Sequence, residues 1–317
     1  MSAQTRGHAM NKKILVAIDG SIYSLNSIDY LVRLFRDDPG LAIHLFAVVS
    51  EAGSGQNWMY EVDSLREHTP LTDRRRITAE RFLRDARDRL VRNGVGEDRV
   101  TFTAQVSPVQ SGKAIHHESN KGIYDALVIG RRGMGRVGEM LLGSVSAFLV
   151  EKCHEVPLWI IDGEITSTRF LLAVQCKPQS LLAADHLGFI TGSLPEAEIF
   201  LYHSNVLFGA DQPSAPEEFH PIWGKEWCDQ YLDTENYLFY AHAQVLKDHG
   251  VNPKRITQLP MERNLEVSRD LIKQADRNNC GTIVIGRRPR DAGKGMFGGV
   301  SDRALSKAQD LALWLVG

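Results

Sequence analysis

Gly130-Arg131-Arg132 recurs as Gly286-Arg287-Arg288, 156 residues further along the chain. At the same spacing Gly143 recurs as Gly299, and Gly94-Val95 as Gly250-Val251. The run Lys13–Ile18 is matched by Arg169–Val174, and Gly317 stands 156 residues after Ile161. A spacing held over nearly all of 317 residues is the mark of a duplicated unit. It limits the chain to two similar domains, each of ordinary size. The expected domains are 12–162 and 169–317, joined by the polar stretch Asp162–Thr168.

Each unit alternates strands and helices. Lys12–Asp19 reads as a buried strand ending in a carboxylate. After Gly20-Ser21, Leu25, Ile28, Leu31, Val32 and Leu34 fall at helical steps until Pro39-Gly40 stops them. Ala42–Val49 is a second strand, Ser50–Thr72 reads as loop, and Arg74–Arg92 as a helix closed by Asn93-Gly94. Strands at Val100–Val106, Ala126–Ile129 and Pro157–Ile161, with a helix at Ser111–Asn120, complete the first unit. Such alternation predicts an α/β fold, doubly wound, with helices on both faces of a parallel sheet.

The stretch from Gly130 to Ser146 carries the chemistry. It follows the apolar strand Ala126–Ile129 and holds Gly130, Gly133 and Gly143 before Ser144-Val145-Ser146 and a helical run. Glycine lets backbone N–H groups approach a ligand closely. A helix beginning with serines adds free N–H groups, hydroxyls and the positive end of its dipole. Strand, glycine-rich loop and helix start together make a phosphate cradle. The loop is not a Walker A loop, because no Gly-Lys-Ser/Thr follows. Nor is it the dinucleotide fingerprint, which sits after a first strand.

Gly130, two residues, Gly133, nine residues, Gly143 and then Ser144 resembles the nucleotide-binding signature of the universal stress protein family, in its ATP-binding branch. The resemblance extends over both units. It implies a five-stranded parallel sheet in the order 3-2-1-4-5 for each, and domains that pair. It implies ATP as cofactor, with magnesium as its companion ion. Asp19, at the end of strand one, would contact the adenosine half. Ala17 or Ile18, Val48 and Ile129 would contribute backbone contacts. Gly130, Arg132, Gly133, Gly143, Ser144, Val145 and Ser146 would hold ribose and phosphates. Arg132 and Arg136 add positive charge near the loop, while Arg131 is expected on a solvated surface.

The second unit departs from this pattern. Gln175 replaces Asp19, Pro289 replaces Gly133, Val300 replaces Ser144 and Ser204 replaces Val48. Pro289 fixes φ and removes a donor. A degenerate nucleotide site is expected there, in a domain that serves as an intramolecular partner of the first. Between Ser204 and Tyr240 lie Phe208, Phe219, Trp223, Trp227, Tyr231, Tyr237 and Phe239. These aromatics either cover the empty site or pack beneath a long loop.

Composition excludes other classes. A net charge of -2 offers no basic footprint for nucleic acid, and no apolar run reaches the length of a membrane span. The polar Met1–Asn11 lacks an apolar core of a signal peptide, so a cytoplasmic location is expected. No GxSxG, HExxH or triad signature is present, and adjacent His116-His117 cannot face one metal together. The leading reading is an ATP-binding stress-response regulator that is non-catalytic or barely catalytic. A slow ATP-hydrolysing or nucleotidyl-transfer enzyme, and an interaction module with both sites empty, stay open beside it, as does a further homodimer. Cys153, Cys176, Cys228 and Cys280 are far apart and form no CxxC pair. Thiol counting on denatured, unreduced protein should therefore find all four reactive, and a deficit of two would reveal a bridge.

Overall fold

The computed structural model describes residues 12–50, 71–131, 142–206, 212–233, 235–287 and 300–317. Its strands are β1 (Lys12–Ala17), β2 (Leu41–Ser50), β3 (Val100–Ser107), β4 (Ala126–Gly130), β5 (Leu158–Ile161), β6 (Arg169–Ala173), β7 (Glu198–Tyr202), β8 (Asn205–Val206), β9 (Ile256–Gln258), β10 (Arg263–Asn264), β11 (Thr282–Gly286) and β12 (Ala312–Val316). Its helices are α1 (Ile22–Phe35), α2 (Leu71–Arg92), α3 (Ser111–Ser119), α4 (Ser144–Lys152), α5 (Pro178–Thr191), α6 (His220–Trp223), α7 (Lys225–Tyr231), α8 (Phe239–Asp248), α9 (Val267–Arg277) and α10 (Val300–Lys307). The helix expected from Arg74 begins earlier, at Leu71.

One sheet of ten strands runs through the molecule in the order β3-β2-β1-β4-β5-β12-β11-β6-β7-β9. All its neighbours are parallel except β5 and β12, which pair antiparallel at its middle. Two sheets expected from the sequence are thus joined edge to edge into one. The short strands β8 and β10 form a separate parallel pair. The central strands β4, β5, β11 and β12 are apolar almost throughout, as burial on both faces requires. Side chains from both halves of the chain share each face. One core layer joins residues of α1 and α2 to those of α5 and α8, and the other joins α3 and α4 to α9 and α10.

The seam rests on aromatic stacking. Trp159 lies opposite Trp314 across β5 and β12, and their rings stack with centroids 3.8 Å apart and planes 2° from parallel. Phe35 stacks on the outer side of Trp159 at 6.2 Å, and Phe170 meets Trp314 edge-on at 5.2 Å. Trp159 donates its indole N–H to Nε2 of His186 at 3.0 Å. Nearby, the hydroxyls of Tyr30 and Thr282 are 2.7 Å apart. Lys12 reaches from the first half to the Ile190 carbonyl at 3.0 Å while bound to Asp38 at 2.8 Å. Truncating either tryptophan to alanine should cost about 3–5 kcal/mol.

The repeat spacing is corrected at its end. Val128 of β4 pairs with Trp159, and Val284 of β11 pairs with Trp314. The two tryptophans therefore hold the same place 155 residues apart, and Ile161 corresponds to Val316 rather than Gly317. The missing residue lies at the helix before the last strand, which has nine residues in α4 and eight in α10.

The four cysteines are buried free thiols. No described helix is long and apolar enough to cross a membrane.

Burial drives the pKa of His186 down to about 3 and that of His242 to about 4, and lowers those of His44 and His203. These rings are neutral in the fold but protonate in the unfolded chain once pH falls below about 6.5. The unfolded state then binds more protons, so stability is present above pH 6.5 and is lost as pH falls towards 4. Each fully depressed histidine contributes a slope of at most about 1.4 kcal/mol per pH unit. Urea unfolding at pH 7, 6 and 5 should show this loss. His186→Gln, which keeps an acceptor for Trp159, should flatten the slope, and an unchanged slope would exclude His186 as a source.

Candidate functional site

The order β2-β1-β4 places the C-terminal ends of three parallel strands side by side. From β1 the chain crosses to β2 on one side, while β4 lies on the other, so the crevice opens at a topological switch point. Asp19, Val48 and Gly130 stand at these three ends.

Asp19 follows β1 and is exposed to solvent. Its Oδ1 accepts the Ser21 N–H at 2.9 Å. The N-cap of α1 is Ser21, whose hydroxyl accepts from the Ser24 N–H, so Asp19 is not itself the cap. Between them Gly20 has φ +80°, and a Cβ there would lie 2.4 Å from the Phe82 ring. Glycine is required at this turn on both counts. Ile18 continues the ladder beyond β1, donating to the Phe46 carbonyl at 2.9 Å. Ala17 and Val48 are half-buried, and Ile129 is buried.

The loop after β4 is closed at its base by backbone bonds. Arg131 donates its N–H to Ile161 at 2.9 Å, and its carbonyl accepts the Gly143 N–H at 3.1 Å. Arg132 and Gly133, both expected site residues, lie outside the described residues. Gly143 is the N-cap of α4, and with no side chain there, no side-chain hydrogen bond caps the helix. The first turn, Ser144-Val145-Ser146, thus begins with donors that no cap satisfies. Ser144 is exposed and Val145 half-buried. Ser146 is buried, and its hydroxyl donates to the Gly130 carbonyl at 2.9 Å. That bond ties the start of α4 to the end of β4, so this hydroxyl shapes the cradle from beneath.

Arg131 is not on a solvated surface. It is 3% exposed, bonded to Asp162 at 2.9 Å, and it reaches the carbonyls of Ser306 and Ala308. Only a long-range acceptor explains this burial, and the local sequence holds no trace of it.

The corresponding edge of the second half is closed by the chain itself. Gln175, in the place of Asp19, donates its N–H to the Ser180 hydroxyl at 2.9 Å. Ser180 lies 2.7 Å from His242 Nε2, and His242 Nδ1 donates to the Leu238 carbonyl at 2.7 Å. His203, just beyond β7, spans to the Val174 carbonyl at 2.8 Å, and the Tyr237 ring stacks on it at 4.1 Å. Ser214 donates its N–H to the Cys176 carbonyl at 2.9 Å. Ser204, in the place of Val48, donates its hydroxyl to buried Asp270 at 2.5 Å, and Tyr202 donates to the same oxygen at 2.7 Å. Tyr237 and Leu238 both have left-handed backbone, with φ 56° and 63°. Such strain in non-glycine residues persists only where the surroundings hold it. Phe219, Leu238 and Phe239 are buried in the core beside α5. The aromatic stretch thus covers the strand ends and fills core at once. Val300 begins α10 and Pro289 lies outside the described residues.

Known proteins match this chain at several levels. The profile of the Universal stress protein family matches residues 10–162. Universal stress protein YxiE of Bacillus subtilis (strain 168) is 30% identical over 139 residues, which are 43% of this chain and 90% of that protein. A universal stress protein from Archaeoglobus fulgidus DSM 4304 superposes with a TM-score of 0.64 at 17% identity, covering 98% of this chain and 97% of its own. A functionally unknown protein from Pseudomonas aeruginosa PAO1 gives a TM-score of 0.55 at 13% identity, covering 97% and 93%. At such identities these two structures speak to the fold alone.

Proposed function

The chain belongs to the universal stress protein family, and from that premise we propose that residues 12–162 bind ATP as a regulatory ligand while residues 169–317 act as their built-in structural partner. One observation carries the reading. In the first half an exposed carboxylate, Asp19, and the uncapped start of α4 meet at the C-terminal edge of adjacent strands. In the second half the matching edge is bridged by His203 and covered by Tyr237. Asp19 accepts from ribose hydroxyls. The N–H groups at Ser144 and Val145 and the Ser144 hydroxyl receive phosphate oxygens at the positive end of the helix dipole. Ala17, Ile18, Val48 and Ile129 line the adenosine side with backbone groups, and Gly130 leaves room at the strand end. Arg132, Gly133, Val145 and Ser146 complete the phosphate side.

Among the described residues no group of three or more His, Cys, Asp or Glu could hold a metal ion. A magnesium ion arriving with ATP would keep phosphate and water ligands and need no more than one or two carboxylates from the protein. The seam supports the partner role of the second half, since β12 occupies the backbone edge that β5 would otherwise expose.

Calorimetric titration with Mg-ATP tests the reading. About one site per chain is expected, and Asp19→Ala should weaken binding by about 1–3 kcal/mol, the range for a hydrogen bond to a charged group. Phosphate release should stay at background, and turnover that tracks ATP binding would favour an enzyme instead. Two equivalent sites would overturn the closed second edge. No binding at all would leave an interaction module with both sites empty.

A further inference from the structure

The first arginines of the two Gly-Arg-Arg triplets are exchanged between the halves. Arg131 is bonded to the Ser306 carbonyl at 3.3 Å and to the Ala308 carbonyl, at the end of α10. Arg287 is bonded to the Val150 carbonyl at 3.0 Å and to the Cys153 carbonyl, at the end of α4. Both are buried, at 3% and 6% exposure. Their backbones match as well: Arg131 donates to Ile161 at 2.9 Å, and Arg287 to Val316 at 2.7 Å. Ser306 corresponds to Val150 at the 156-residue spacing, and Ala308 to Cys153 at the 155-residue spacing that holds beyond the shorter helix α10. The two arginines thus reach equivalent carbonyls from equivalent backbone positions and make a reciprocal clamp.

The clamp on α4 bears on the ATP reading. The last carbonyls of a helix have no partner inside it, and a cation there also meets the negative end of its dipole. With nine residues α4 is too short to hold itself together in water. Its order depends on what grips its ends. At the N-terminal end the grip is the pair of bonds from Gly143 to Arg131 and from Ser146 to Gly130. At the other end it includes the Arg287 guanidinium. We propose that Arg287, supplied by the half whose own nucleotide edge is closed, is a positioning residue for the ATP site of the other half. It holds α4 from behind so that the N–H groups at Ser144 and Val145 stay aimed at the phosphates. This rests on the ATP reading for its function, though the grip on α4 does not. Because linkage is reciprocal, ATP bound at one end of α4 also tightens the Arg287 contact at the other, and with it the docking of the halves.

The test compares the full chain with Arg287→Ala, Arg287→Lys and Arg131→Ala, by Mg-ATP titration and by amide hydrogen exchange. Arg287→Ala should speed exchange within Ala147–Cys153 at least tenfold. It should also raise the Kd for ATP about 5- to 30-fold with one site retained. Arg287→Lys, which keeps the charge but not the two-pronged contact, should fall between, and it carries the test if the alanine variant does not fold. Arg131→Ala should instead speed exchange in α10. If Arg287→Ala leaves the Kd within twofold, the positioning role is overturned, whether or not α4 exchanges faster. A wild-type chain that binds no ATP removes the functional reading and the positioning role together. Exchange in α4 then decides the grip by itself: faster exchange in the alanine variant supports it, and unchanged exchange overturns it.

Discussion

A strand at the border of a sheet leaves a row of backbone donors and acceptors unpaired, and β5 and β12 would each be such a border. Their antiparallel pairing turns two exposed edges into the middle of one ten-stranded sheet. Trp159 and Trp314 then stack where the two strands cross, walled in by Phe35, Phe170 and His186. Among the described residues, further side-chain contacts cross between the halves. The Tyr30–Thr282 contact, Lys12 at the Ile190 carbonyl and the two buried arginines all link the first half to the second. Because both core layers continue across the seam, the halves share a hydrophobic interior rather than touching at a polar boundary. An interface of that kind behaves more like a core cut in two than like a loose domain contact.

The seam also explains how the halves can differ. What it needs is a set of apolar strands and a few buried donors. Those features are alike on both sides: β4 and β11 are buried except at their final glycines, and Arg131 and Arg287 take equivalent places. The halves diverge at the C-terminal ends of their first two strands, away from β5 and β12. One edge keeps an exposed Asp19 beside an uncapped helix. The other is tied by Gln175 to Ser180 and roofed by Tyr237 over His203. The left-handed backbone at Tyr237 and Leu238 is a local cost, offset by the burial of Leu238, Phe239 and Phe219 behind it.

Much of this was legible in the residues themselves. Glycine spacing pointed to a loop after β4, most of which lies outside the described residues. Apolar runs marked the strands, because central parallel strands are buried on both faces. The second half's loss of Asp19 and Ser144 equivalents was plain, since an absent carboxylate or hydroxyl needs no geometry to notice. Other features were hidden for a physical reason. Arg131 read as a surface residue because its acceptors, Asp162 and two carbonyls near the end of α10, lie 31 and more residues away. The bond from the Ser146 hydroxyl to the Gly130 carbonyl was hidden because it depends on how α4 sits over β4. The closing of the second edge needed His203 and Tyr237 to meet across 34 residues of chain. Aromatic composition indicated burial there but not what would be covered.

The clamp gives the fused chain a property that separate domains would not have. In an assembly of identical copies, each half would carry both a cradle and the arginine that steadies its neighbour's helix. Once the halves are joined, those two duties can be divided. The second half can close its own edge with Tyr237 and still present Arg287 to α4, because the closing contacts lie after β6 and β7 while the Arg287 side chain reaches across to α4. Covalent linkage keeps the effective concentration of that arginine high whether or not ligand is present. Its grip on α4 therefore no longer depends on protein concentration. If the proposed ATP reading holds, a cradle steadied in this way would respond to nucleotide alone, where a dissociating pair would respond to nucleotide and to its own abundance.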